Sequence, residues 1–438
     1  MNTYRLKIEN YHSISKADIA LNGITVLAGI NGCGKSTLAR WLYYIVKGAN
    51  EYEQNLAEDY RTDMDEIVSQ YISKPKDGYY NTDLNKILSK AKTTIMDCQY
   101  TKLDFFTKIE NIVLDTTSHF IKTVRDSYVT MNQENKNRLL NYLNIKREEG
   151  ETDDEMLEKY LKKQTQKIKE TVNYYIDSKR IRPRNIFTNY IDFSYNESDN
   201  PSIMSFKEDG VEILNNDNIG TILGLKTAIY VDTPMSVNTA TDNPLWEDFR
   251  TNLQYKVSNT KKNEVVQRLL SSIRNIMGGS VTDEESIFGD KELAFKRASD
   301  NLTIKLEQMA TGIKSFAYLD RLLENGYLTQ GNILILDEPE AHLHPQWIVE
   351  FARMLVKIHK ETGLFIMLAS HDPDMVSAIR YIAEKEEVLD DTTFYLAEQD
   401  KNAETFSYKE LGHDIEPIFA SFNKSFDLIE KYGVDNGR

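Results

Sequence analysis

The chain has 438 residues, 53 Lys plus Arg against 68 Asp plus Glu, a formal charge of −15 and 40% apolar residues. At about 150 residues per domain this length predicts roughly two or three domains. With 17 Phe and 25 Tyr it holds core material that a disordered chain lacks. No uncharged apolar run reaches the roughly 18 residues a membrane span needs, so no membrane partner is expected. The acidic balance excludes a generally basic coat but leaves room for a local basic groove.

The start, MNTYRLKIEN, alternates like a strand and has no apolar signal core. Cys33 and Cys98 are too few for a disulfide framework or a zinc site. Both features predict a cytoplasmic location. Strand patterns occupy 4–9, 16–20 and 24–28, followed by a glycine-rich loop. A helix over 36–47 is predicted from Leu38, Trp41, Leu42 and Ile45 on one stripe. Helical patterning then dominates 48–184. Within it, 148–158 carries seven acids and no base, and 159–184 carries nine bases against two acids. Glu155/Lys159 and Glu158/Lys162 have the favourable i,i+4 order, so the two runs read as a solvated, self-compensating helix. We expect an inserted helical subdomain at 48–184 within a domain made of 1–47 and 185–438.

From 185 onward, 187–195 and 202–206 resemble antiparallel strands, and 227–232 a buried strand closed by Thr233 and Pro234. Helical patterning covers about 245–277, short strands fall near 292–297 and 302–307, and a helix runs from about Gly312 to Glu324. GNILILDEPE is an apolar strand ending in acids, Pro345 opens a helix, and 364–369 is another buried strand. Apolar strands alternating with helices predict an α/β fold with a mixed, mainly parallel sheet and an antiparallel β subdomain.

Four segments carry chemistry. Gly29-Ile30-Asn31-Gly32-Cys33-Gly34-Lys35-Ser36 fits G-x-x-x-x-G-K-[ST] between a strand and a helix, with Thr37 directly after it. Glycines let backbone N–H groups converge on an anion, and the helix N-terminus aims its positive end at the same point. Asn31, Gly32, Cys33, Gly34, Lys35, Ser36 and Thr37 are therefore the expected ATP-binding residues. Lys35 would reach the β- and γ-phosphates and Ser36 would face Mg2+. Second, 333–336 delivers Asp337 and Glu338 to a strand end, where open α/β sheets bind ligands. Asp337 is the expected metal ligand beside Ser36, and Glu338 the group that orients or deprotonates water. Third, Ser370-His371-Asp372 follows the strand at 364–369, so His371 could touch a γ-phosphate or merely begin the next helix. Fourth, Met309-Ala310-Thr311-Gly312 opens a helix, by itself an ordinary N-terminus capped at Thr311.

The order of GINGCGKST, MATGIKS, LILDEPEAHLHP and LASHD resembles the ABC-type ATPase heads of the structural-maintenance-of-chromosomes and RecF superfamily. DEPEAHLHP most resembles the OLD-like ATPases of bacterial anti-phage systems, including the Septu and retron-associated ATPases. The resemblance covers about 1–47 and 225–385. It implies a P-loop fold of ABC-ATPase type, ATP and Mg2+ as cofactors, and catalytic roles for Lys35, Glu338 and His371. It also implies a homodimer or higher homo-oligomer, in which Thr311 and Gly312 of one copy complete the nucleotide site of the other.

Glu340 through Pro345 would then form a cross-subunit connector, with His342 and His344 near the interface rather than on a metal. Ala310 stands where the family usually has Ser, which bears on turnover. The family's glutamine between the first two motifs has no clear counterpart. Asp232-Thr233 is the first choice for that position and Gln99 a weaker one. The 67 residues after His371 look too few for a fused Toprim nuclease. The resemblance thus implies a separate effector, a nuclease or toxin, controlled in antiviral defence. The alternatives are a RecF-like ATPase binding nucleic acid through the 159–184 bases, and an ATP-binding scaffold with slow turnover.

Overall fold

The computed structural model describes residues 2–72, 81–232, 243–257, 263–285, 291–401 and 403–422. In chain order the elements are β1 (Tyr4–Tyr11), β2 (Ile14–Leu21), β3 (Ile24–Ala28), α1 (Lys35–Ser69), α2 (Thr82–Met96), α3 (Phe105–Tyr128), α4 (Gln133–Tyr142), α5 (Asp153–Ile181), α6 (Arg184–Tyr195), β4 (Ile203–Glu208), β5 (Val211–Leu214), β6 (Thr227–Val231), α7 (Pro244–Gln254), α8 (Glu264–Met277), β7 (Gly279–Glu285), β8 (Lys291–Arg297), β9 (Thr303–Lys305), α9 (Thr311–Glu324), β10 (Asn332–Asp337), α10 (Pro345–Thr362), β11 (Phe365–Ser370), α11 (Pro373–Lys385), β12 (Thr392–Gln399), β13 (Phe406–Gly412) and α12 (Glu416–Phe422). They divide into two compact units, Met1–Asn50 with Phe187–Arg438, and Glu51–Ile186.

The first unit is built on a ten-stranded mixed sheet in the order β5-β4-β1-β2-β13-β12-β3-β11-β10-β6. The central strands β3, β10 and β11 are buried at every position, as parallel strands covered on both faces must be. Their side chains alternate between two layers. Val26, Leu334, Leu336, Ile366 and Leu368 share one core with Phe316 and Leu322 of α9, Phe351 and Leu355 of α10, and Val376 and Ile379 of α11. On the opposite face Tyr230 of β6 meets Tyr43 of α1, ring centroids 6.0 Å apart. Strand β1 alternates instead, burying Tyr4, Leu6, Ile8 and Tyr11, and pairs antiparallel with β2 and β4. A separate antiparallel sheet, β7-β8-β9, is the β subdomain.

Local signals set the ends of the helices around the sheet. Pro345 at the first turn and His344 as cap start α10, and Gly363 at φ 70° stops it. Pro373 and the Asp372 carboxylate, which accepts the Met375 N–H at 2.9 Å, start α11. The second unit is helical. Helix α5 opens on a capping box between Thr152 and Glu155, and buries Leu157, Tyr160, Ile168, Val172 and Tyr175 at helical spacing.

Three expectations need correction. Residues 187–195 are not a strand but most of α6: their β-branched and aromatic composition suggested strand, yet Phe187 and Ile191 are buried one helical turn apart. The 245–277 pattern is two helices, α7 and α8, the second ended by Gly278 at φ 67°. Strands β5, β7, β12 and β13 join the strands read from the sequence. Thr233 and Pro234 lie outside the described residues.

Candidate functional site

Three neighbouring parallel strands end together. In register, Ala28 of β3 pairs with Ser370 of β11, and Asp337 of β10 pairs with Ala369. The segments leaving these strands therefore share one sheet edge: the 29–36 loop, Glu338 and His371. This is where an open α/β sheet presents ligands, just past the carboxyl ends of its strands.

The 29–36 loop turns through Gly32 at φ 81° and Gly34 at φ 96°, angles an L side chain rarely adopts. At Gly34 a Cβ would also lie 2.6 Å from Ile14, which fixes the loop against the β1–β2 turn. Lys35 is buried, and its ammonium donates to the carbonyls of Gly29 at 2.9 Å and Ile30 at 3.0 Å, so its charge sits inside the loop. Cys33 is buried behind the loop, where its carbonyl accepts the Tyr408 hydroxyl at 3.1 Å. Asn31 is exposed, and Ser36 and Thr37 half-buried, on the first turn of α1.

Asp337 is 4% exposed. Its Oδ2 accepts the Tyr230 hydroxyl at 2.9 Å, while Oδ1 is buried with no hydrogen-bond partner among the described residues. Burial raises its pKa; the Ser36 and Tyr230 hydroxyls act against that, and the charges of Asp232 and Glu338 add to it. An orphaned buried carboxylate oxygen beside the Ser36 hydroxyl is a pair of hard oxygen donors. That chemistry suits Mg2+, which takes one or two protein oxygens and completes its shell with phosphate and water.

Glu338 has φ 48°, left-handed for a non-glycine residue, and its N–H donates to the Ala369 carbonyl at 2.9 Å. Its Oε1 lies 3.3 Å from His371 Nδ1. Behind them Glu340, 5% exposed, accepts the Ser370 hydroxyl at 2.7 Å and the His371 N–H at 3.0 Å. Burial raises the Glu340 pKa, and the Ser370 hydrogen bond lowers it.

Lys35, Ser36, Asp337, Glu338 and His371 thus meet at one edge. Thr311 and Gly312 instead open α9, where a Cβ on Gly312 would meet Leu343 at 3.3 Å and Trp347 at 3.5 Å. Ala310, not Thr311, holds the cap position of α9, with no side-chain cap. His342 is exposed at φ 66°, and His344 Nδ1 accepts the Gln346 N–H at 3.4 Å. Among the described residues no group of three or more His, Cys, Asp or Glu could hold a metal, so these histidines form no cluster with Glu340. Asp232 is near enough to Asp337 to raise its pKa, Thr233 lies outside the described residues, and Gln99 is exposed in the second unit. Sequence reasoning missed Tyr230 and Tyr408, each joined to the site by a hydroxyl. Their only local signal was an aromatic residue on a strand.

The AAA ATPase domain family matches residues 1–376. A putative ABC transporter ATP-binding protein of Clostridium perfringens is 36% identical over 94 residues, 21% of this chain and 32% of that protein. The energy-coupling factor transporter ATP-binding protein EcfA2 of the same species is 39% identical over 72 residues, 16% of this chain and 25% of that one. EcfA2 of Bacillus thuringiensis is 34% identical over 106 residues, 23% and 33% of the two chains. The chain thus spans a third or less of the length of these curated relatives. Among solved structures, the Thermotoga maritima SMC head domain covers 94% of this chain and 99% of its own, at 10% identity and a TM-score of 0.36. The Pyrococcus furiosus Smc head domain with an extended coiled coil, bound to the C-terminal domain of ScpA, covers 99% and 100% at 12% identity and a TM-score of 0.35. No helix among the described residues is long and apolar enough to cross a membrane.

Proposed function

The chain belongs to the AAA ATPase domain family, and on that premise we propose that its ATP-driven self-association controls a separate effector in bacterial antiviral defence. The chemistry itself is that of an ABC-type P-loop ATPase, ATP plus water giving ADP plus phosphate. One observation carries the assignment of residues: β3, β10 and β11 end in register, so segments about three hundred residues apart in sequence meet.

In this reading the loop N–H groups and Lys35 bind the β- and γ-phosphates, and Ser36 and Asp337 hold Mg2+. The cation, when bound, offsets charge on the phosphate oxygens. Glu338 orients the attacking water and accepts its proton, and His371 stands beside the γ-phosphate. Thr311 and Gly312 come from a second copy and aim the α9 N-terminus at that phosphate. Residues 1–47 and 185–438 act as the head, and 48–184 as an inserted helical subdomain. The DEPEAHLHP segment supports the defence role and its nuclease or toxin partner. Calorimetry with ATP and Mg2+ tests the site: K35A should show no binding heat. E338Q should bind normally and lose about 100-fold or more in turnover. Wild-type turnover in E338Q would overturn the assignment.

A specific observation favours a second reading, a RecF-like ATPase that binds DNA. On α5, Lys159, Lys162 and Lys179 pair with Glu148, Glu158 and Glu53. Among the described residues, exposed Lys163, Lys167 and Lys169 make no ion pair. Neutralising these three should weaken DNA binding and flatten its salt dependence. An unchanged titration removes this reading.

A further inference from the structure

Glu340 does more in the structure than link β10 to α10. Its side chain is 3% exposed, against 30% for Glu338. One oxygen is fixed by the Ser370 hydroxyl and the His371 N–H, and the other, Oε2, is buried with no hydrogen-bond partner among the described residues. His371 Nδ1 lies between the two acids, 3.3 Å from Glu338 Oε1 and 3.5 Å from Glu340 Oε1, and makes a well-formed hydrogen bond to neither. A ring nitrogen carries at most one proton, so it can donate to one carboxylate at a time. Among the described residues no hydrogen bond holds the Glu338 carboxylate, so it can move toward solvent, whereas Glu340 is pinned.

We propose that Glu340 is a positioning residue: during turnover its carboxylate, not that of Glu338, accepts the His371 Nδ1 hydrogen bond, which leaves Glu338 free to orient water while His371 keeps its place. This rests on the roles proposed for Glu338 and His371 in hydrolysis. Without the second acceptor, His371 would hold Glu338 in the resting contact, and turnover would fall while ATP binding persisted.

The test uses E340Q and E340A in the full chain. The glutamine carbonyl still accepts from Ser370 and the His371 N–H, so E340Q should fold with a melting temperature at or above wild type. The same carbonyl faces His371 Nδ1 but carries no charge and is the weaker acceptor, so E340Q should keep its ATP affinity by calorimetry and lose about 10-fold in kcat. E340A should lose more and also melt earlier. With seven histidines in the chain, 15N-histidine spectra can follow His371, identified by its loss in H371N. Adding ATP and Mg2+ should move its Nδ1 resonance in wild type and much less in E340Q, a nucleotide-dependent response that a purely structural role of Glu340 would leave intact. Wild-type kcat in E340Q, or a kcat loss matched by lost ATP affinity, would overturn the proposal. If E338Q is inactive and E340Q is not, only the role of Glu340 fails. If E338Q turns over at the wild-type rate, the reading beneath it fails.

Discussion

Asp337 shows how one residue can serve a site and oppose the fold. Its pKa is raised above the ordinary 3.8, first by burial. In the unfolded chain it titrates near that ordinary value. Between 3.8 and the raised value the folded state therefore binds more proton, and stability falls as pH rises through this window. Above the window the loss is complete. D337N has no charge to bury and still offers a carbonyl to the Tyr230 hydroxyl. Without nucleotide or metal it should melt higher than wild type at neutral pH, on the order of 2 °C for each kcal/mol gained. The difference should close as pH falls toward 4. Melting curves across pH check this, and a D337N that melts lower at neutral pH would contradict it. Gly34 gives the opposite case. At φ 96°, with Ile14 2.6 Å from a Cβ, G34A should lose both ATP binding and stability, seen in calorimetry and in a melting curve.

Helix α9 shows the same logic one level up. Every residue from Lys314 to Leu323 is buried, so the helix runs through the core with polar groups that need partners. Arg321 donates to the Leu253 carbonyl at 2.7 Å and pairs with Asp283 of β7. Arg274 of α8 grips Asp320, 0% exposed, at 2.7 Å and Glu324 at 3.1 Å. Removing Arg274 leaves Asp320 charged and buried, so R274A should cost about 3 kcal/mol in a urea titration. R274A/D320N should recover part of it, and a neutral R274A would show that the pair carries little.

These contacts also mark where the sequence stops being readable. Strands β3, β10 and β11 are mostly apolar runs, and α10 and α11 begin on proline, so their signals are local. Helix α6 was misread because Phe, Tyr and Ile favour strands in isolation, while the burial of Phe187 and Ile191 is set by tertiary packing. Strand β7, GSVTDEE, has no apolar alternation and exists through its pairing with β8. The motif residues of the site were legible because each motif is contiguous. Tyr230 and Tyr408 were not, because their hydroxyls reach partners 107 and 375 residues away, and only the strand order brings them there.

For the molecule as a whole, the position of Thr311 and Gly312 decides what must be tested. Lys35, Asp337, Glu338 and His371 share the sheet edge, but the start of α9 rests on Leu343 and Trp347. Contact between Thr311 and a γ-phosphate on the 29–36 loop is therefore proposed across two copies. E338Q with ATP and Mg2+ should sediment as a dimer, because nucleotide persists between the copies, and as a monomer with ADP. T311D places a negative charge opposite the phosphate without touching the copy's own loop, so it should bind ATP as wild type does and remain monomeric. Mixing T311D with K35A should restore one competent site per pair, made from the intact loop of T311D and the intact α9 start of K35A, and so return part of the hydrolysis that neither shows alone. If T311D loses ATP binding as a monomer, or the mixture stays inactive while E338Q remains monomeric with ATP, the α9 start does not act in trans, and coupling to an effector would need a route other than dimer closure.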